Sequence, residues 1–125
     1  MARPTLQLAL ALAACIVLEI DAAAASQPTM DECFEASDFI GNAALSRDAG
    51  VSAEAFLQHM QQDFSAIHAF PPELRWFAHD ADDEAFLYES ARTVFDEPLN
   101  PQAQRAAFLR ACLDRMSAVA DAVAT

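Results

Sequence analysis

From residue 30 onward, apolar positions recur every three or four residues in four separate stretches, the period of amphipathic α-helices. The first stretch runs from about Met30 to Arg47. Its stripe is Cys33, Ala36, Ile40, Ala43 and Ala44, widened by Phe34 and Leu45, and its polar arc is narrow. A helix so widely apolar belongs at the centre of a fold. Thr29 stands where an N-cap is needed, with Glu32 at the matching position for a capping box. Gly50 suits the left-handed end of that helix, and Gly41 with the alanines permits close helix approach. The second stretch, about Ala53 to His68, follows Ser52 as N-cap and carries Phe56, Leu57, Met60, Phe64 and Ile67 on one face. The third, about Ala81 to Phe95, buries Phe86, Leu87, Ala91, Val94 and Phe95 and stops at Asp96-Glu97-Pro98. The fourth starts at Asn100-Pro101, an N-cap followed by the favoured proline position. Its stripe is Phe108, Leu109, Cys112, Leu113 and Met116, and Ser117 to Thr125 is expected to fray.

Between the second and third stretches lies Phe70-Pro71-Pro72-Glu73-Leu74-Arg75-Trp76-Phe77, which holds the only Pro-Pro and the only Trp. Pro71 disfavours helix at Phe70, and Pro72 can open a new turn. Phe70 and Leu74 are expected in the core. No strand-like alternation and no internal repeat interrupts the pattern. The sequence therefore predicts an all-α fold, a small four-helix bundle with short connections, as one domain over residues 26–125.

The first 25 residues differ in character. Arg3 precedes an apolar run from Leu6 to Ile20, broken only by Gln7 and Glu19, and alanines fill 22–25. This predicts a signal peptide over 1–25 with cleavage before Ser26. The run is shorter than the roughly 20 residues that span a bilayer comfortably. Leu12-Ala13-Ala14-Cys15 supports a competing reading, a lipoprotein acylated at Cys15. Ile16-Val17-Leu18 stay apolar beyond the cysteine, which favours Cys15 as part of the leader's hydrophobic run. The expected location is periplasmic or secreted, with the lipid anchor as the alternative.

Charge and cysteine narrow the picture further. Beyond residue 25 there are six arginines, no lysine and seventeen acidic residues, a difference of −11. Nucleic acid and anionic membrane surfaces need clustered basic charge, so neither is an expected partner. Such a surface suits a basic protein instead. Cys33 and Cys112 remain after the leader, and an even pair in a small exported domain predicts a disulfide. Closing a loop of about 80 residues is worth about 4 kcal/mol in the chain-entropy model. Without C-x-x-C or a third cysteine there, zinc-ribbon and thioredoxin-like chemistries are not indicated.

Several pieces recur together: Cys33 early in the first helix, Arg47-Asp48-Ala49-Gly50-Val51-Ser52, Val94-Phe95-Asp96-Glu97-Pro98, then Pro101 and Cys112. This set resembles small exported proteobacterial two-cysteine helical proteins, largely of unknown function. The resemblance implies a periplasmic, disulfide-linked helical fold and carries over no catalytic or ligand residue. The Phe70–Phe77 stretch is not part of it.

Catalytic signatures are sparse. Asp80 to Glu84 invites a calcium-loop reading, but counting from Asp80 the sixth residue is Ala85 and the twelfth Ala91, where Gly and Glu are required. These acids read instead as a helix N-terminal turn, favourable to its dipole. His59, His68 and His79 show neither H-x-x-x-H nor HExxH spacing and read as surface histidines with local partners. No G-x-S-x-G and no glycine-rich phosphate loop is present. No enzyme activity, cofactor or metal is therefore expected. Arg75 and Trp76 are the candidate protein-binding residues, because Arg and Trp are enriched among interface hot spots; the competing reading has Trp76 and Phe77 capping the bundle core while Arg75 pairs with a nearby acid. The expected function is a non-enzymatic protein-binding module, such as an inhibitor or immunity-type protein. The alternative is a small-ligand or metal carrier using His59, Asp63, His68 or His79.

The leader reading is checked by the intact mass of the exported protein. An unmodified chain beginning near Ser26 is expected; a lipid adduct beginning at Cys15 would replace the cleaved-leader account with the lipoprotein.

Overall fold

A computed structural model of the chain describes residues 28–124. The expected leader and Cys15 lie outside the described residues. Four α-helices follow in order: α1 Met30–Asp48, α2 Ala53–Ile67, α3 Ala81–Asp96 and α4 Pro101–Ala124, with a single 3-10 turn at Pro72–Leu74 before α3. Among the described residues there is no strand, and no helix is long and apolar enough to cross a membrane.

Local chemistry starts and stops each helix. Thr29 and Glu32 form the full capping box on α1, at 3.1 and 3.0 Å. The other end closes in a Schellman motif. Gly50, at φ 96°, donates to Arg47 O, and Val51 donates to Ser46 O. Ser52, Asp80 and Asn100 accept the backbone N–H three residues on, which caps α2, α3 and α4. Beyond Ser117, α4 continues as helix to Ala124. Alternate alanines from Ala118 onward favour helix intrinsically.

α1 is the central helix. It packs most extensively on α4, then on α3, while α2 rests on α3. Cys33, Ala36, Ile40, Ala43 and Ala44 are buried in α1, against Leu87, Ala91 and Val94 of α3 and Phe108 and Cys112 of α4. At Gly41 an added Cβ would stand 2.5 Å from Cγ and Cδ of Arg105. The missing side chain lets Arg105 lie across α1, where its guanidinium pairs with Asp38. Not every apolar position on α1 is covered: Met30, Phe34 and Leu45 share an outer face and are about half exposed. One neighbouring helix on each side cannot enclose so wide an apolar arc.

Covalent and polar ties hold this layering at its ends. Cys33 and Cys112 form a disulfide across 79 residues of chain, with Met116 Sδ 3.5 Å from the Cys33 sulfur. At the opposite end of α1, the Arg47 guanidinium donates to Val94 O and to Leu99 O, both at 2.7 Å, and to Asp48 Oδ1 at 2.9 Å. Gln104, buried on α4, accepts from Leu99 N at 3.3 Å and lies 3.4 Å from Arg47. One side chain from α1 thus satisfies carbonyls that the end of α3 and the α3–α4 turn leave unpaired.

Replacing Arg47 with Ala leaves those carbonyls without a charged donor. The variant is expected to lose about 2–3 kcal/mol of unfolding free energy, read by chemical denaturation. A loss below about 0.5 kcal/mol, the level of an ordinary surface change, would contradict the clasp.

Candidate functional site

The Pro-Pro segment is an ordered corner, built by interactions that reach far along the chain. Leu74 N–H donates to Pro71 O at 2.9 Å and Arg75 N–H to Pro72 O at 3.2 Å, which closes the 3-10 turn. Among the described residues Arg75 pairs with no acid. Its Nε donates to Phe70 O at 2.7 Å and its Nη2 to His68 O at 3.3 Å, tying the corner back to the end of α2.

Trp76 has φ +53°, a left-handed conformation uncommon for a side-chain-bearing residue. Such a residue costs on the order of 1–3 kcal/mol and persists where its surroundings over-determine it. Here the indole N–H donates to Glu35 Oε2 at 2.7 Å. The ring meets Phe39 edge-on at 6.2 Å and Phe77 at 6.1 Å. These are links in a chain of aromatics, Phe95–Phe56–Phe39–Trp76–Phe77, that ends on Phe86 and Phe108 and runs through all four helices. Phe77 and Ala78 are fully buried. Trp76 is half-buried and packs against the core.

The reversal that buries Trp76 and Phe77 turns Phe70 and Leu74 outward, at 54% and 67% exposure. The expectation that these two belong to the core is therefore corrected. Its physical reason is the left-handed step at Trp76, which no apolar pattern reveals.

His79 fixes the other side of the corner. It is 8% exposed, and its partner is Glu32, 47 residues away. This corrects its reading as a surface histidine with a local partner. Nδ1 lies 2.8 Å from Pro72 O and Nε2 lies 2.8 Å from Glu32 Oε2. A backbone carbonyl and a carboxylate only accept, so satisfying both contacts requires both ring nitrogens to carry protons. Burial opposes that charge, but the Pro72 carbonyl, the Glu32 carboxylate and the charge of Asp83 outweigh it and raise the pKa above 6.5.

Asp83 is also buried, at 1% exposure. Burial pushes its carboxyl upward, against the pull of Arg115, whose Nη1 donates to Oδ1 at 2.7 Å. Among the described residues Oδ2 has no hydrogen-bond partner of ordinary geometry, although the nearby His79 backbone N–H also favours the charged carboxylate. The same Arg115 guanidinium lies over the Phe86 ring, 5.0 Å from its centre. The acidic run after Asp80 is thus not uniformly solvated; Asp83 faces inward.

The remaining histidines have separate partners. His59 pairs with Asp63 at 3.5 Å on the exposed side of α2, and His68 meets Glu84 across the α2–α3 hairpin. The structure does not gather His59, His68 and His79 at one place. Among the described residues no group of three or more His, Cys, Asp or Glu is placed to hold a metal ion. No protein-family model, curated protein or solved structure matches this chain.

The sign of the pH dependence follows from His79. A histidine whose folded pKa is raised contributes stability that is full below 6.5 and is lost as pH rises through the folded value. Protection of the 70–78 amides from hydrogen exchange, corrected for intrinsic rates, is expected to fall as pH climbs above that value. His79→Gln should flatten the dependence. An unchanged profile in the variant would remove the imidazolium from the account.

Proposed function

We propose that this chain is a non-enzymatic, exported helical module that binds a basic protein partner through the proline corner, as an inhibitor or immunity-type protein does. The observation that carries the reading is the corner itself: two large apolar side chains, Phe70 and Leu74, exposed on a backbone pinned at Phe70 O, His68 O and Pro72 O. A loop held before binding loses little conformational freedom on binding, so its apolar contacts convert efficiently into affinity. Exposed large apolar groups on a strained, over-determined turn have no evident role in stability, which directs attention to recognition.

The reading assigns different work to neighbouring residues. Phe70 and Leu74 make the contact, and the half-buried Trp76 forms its rim. Arg75 acts mainly as a positioning residue, because its guanidinium is already engaged with two carbonyls. Export is supported by the leader pattern and by the Cys33–Cys112 disulfide, which suits an oxidising compartment. A basic partner is supported by the formal charge of −12 on the full chain.

A Phe70→Ser, Leu74→Ser double variant leaves the buried aromatic chain intact and should melt close to the parent. Its recovery of partner from a periplasmic extract of the source cells is expected to fall at least tenfold, about the weight of one or two interface anchors. Undiminished recovery of the same partner would remove the corner from the interface.

A further inference from the structure

The negative charge of this protein is unevenly placed. Between residues 53 and 97 there are ten acidic residues and two arginines, a net −8, whereas α4 carries three arginines and two acids. Neither arginine of the acidic half offsets it strongly. Arg75 is taken up by the carbonyls of Phe70 and His68, and Arg92 reaches Glu89 at 3.9 Å and Asp96 at 3.5 Å on the open surface.

In this half lies a groove of about 430 Å³ between α2 and α3. That is within the usual range for a binding cleft. α2 leaves it open by packing lightly: Met60 is its one buried residue, while Phe56, Leu57, Phe64 and Ile67 are only partly covered. Phe64 of α2 and Tyr88 of α3 line the groove, and Glu84 and Glu89 supply carboxylates. Glu84 side-chain exposure is 18%, and His68 holds its Oε1, which fixes the carboxylate in place. His68 and Ala81, which border the connection between α2 and α3, line the groove at that end.

Aromatic side chains flanked by carboxylates, one of them held in place, attract an organic cation twice over, through the ring quadrupole and through charge. We infer that the α2–α3 groove is the docking site for an arginine or lysine side chain on a basic segment of the partner protein. This deepens the proposed function and rests on it, since the corner and the groove then serve the same partner. The groove contributes selectivity for positive charge, and the corner contributes apolar anchors.

The test uses a hexa-arginine peptide titrated into the full exported protein and followed by amide NMR. Saturable shifts centred on residues 61–68 and 81–89 are expected. The Glu84→Gln, Glu89→Gln double variant should weaken binding about tenfold, and Tyr88→Leu, which keeps both carboxylates, should weaken it several-fold. Spermidine should bind at least tenfold more weakly than the peptide. Shifts spread over the acidic surface, an affinity unchanged by both variants, or spermidine binding as tightly as the peptide would each overturn the inference. The Phe70→Ser, Leu74→Ser protein should still bind the peptide, so failure of the groove and failure of the corner are separately visible.

Discussion

The fold and its candidate surface both depend on His79 held between Glu32 and the Pro72 carbonyl. Glu32 already closes the cap of α1, and the next residue, Cys33, carries the disulfide to α4. By reaching Glu32, His79 attaches the connection between α2 and α3 to the best-anchored point of the molecule. A partly buried ion pair contributes little net stability when intact, but removing one member leaves an uncompensated charge and costs more. The arrangement therefore specifies one position for the corner more strongly than it stabilises the protein.

Polar ties at the ends and apolar packing in the middle divide the work. Arg47 fastens the far end of α1 to the α3–α4 turn, and Asp83 with Arg115 joins α3 to α4. Between these ends the aromatic chain fills the interior, with Trp76 and Phe77 as its central links. α2 stands apart from this scheme. Its apolar face is only half covered, and the groove beside α3 follows from that incomplete packing. The surface proposed for recognition thus coincides with the least enclosed helix and with the turn that leads out of it.

Signals that act within a few residues were legible in the sequence. Thr29 with Glu32, Ser52, Asn100 and Gly50 mark helix ends because a cap needs only its own turn. The disulfide was legible from cysteine number and the expected compartment. Interactions between distant residues were not, and they decide the corner. His79 lies in Phe77-Ala78-His79, where no helical period shows that it is buried. Arg47 stands at the end of the first helical stretch, and nothing nearby identifies Val94 O or Leu99 O as its acceptors. Two signals were present and missed. Asp83 precedes Leu87 by one helical turn and Gln104 precedes Phe108 by the same spacing, so both stand on buried stripes. The left-handed backbone of Trp76 left no trace, because such a conformation at tryptophan is imposed by tertiary contacts, not by local preference.

That the corner is set by a charged histidine is tested most directly by the protonation state of His79 itself. Long-range proton–nitrogen NMR of the ring at neutral pH should show protons on both Nδ1 and Nε2, and Glu32→Gln should lower its pKa. A neutral His79 with a single ring proton at that pH would contradict the account, because one of its two acceptors would then have no donor.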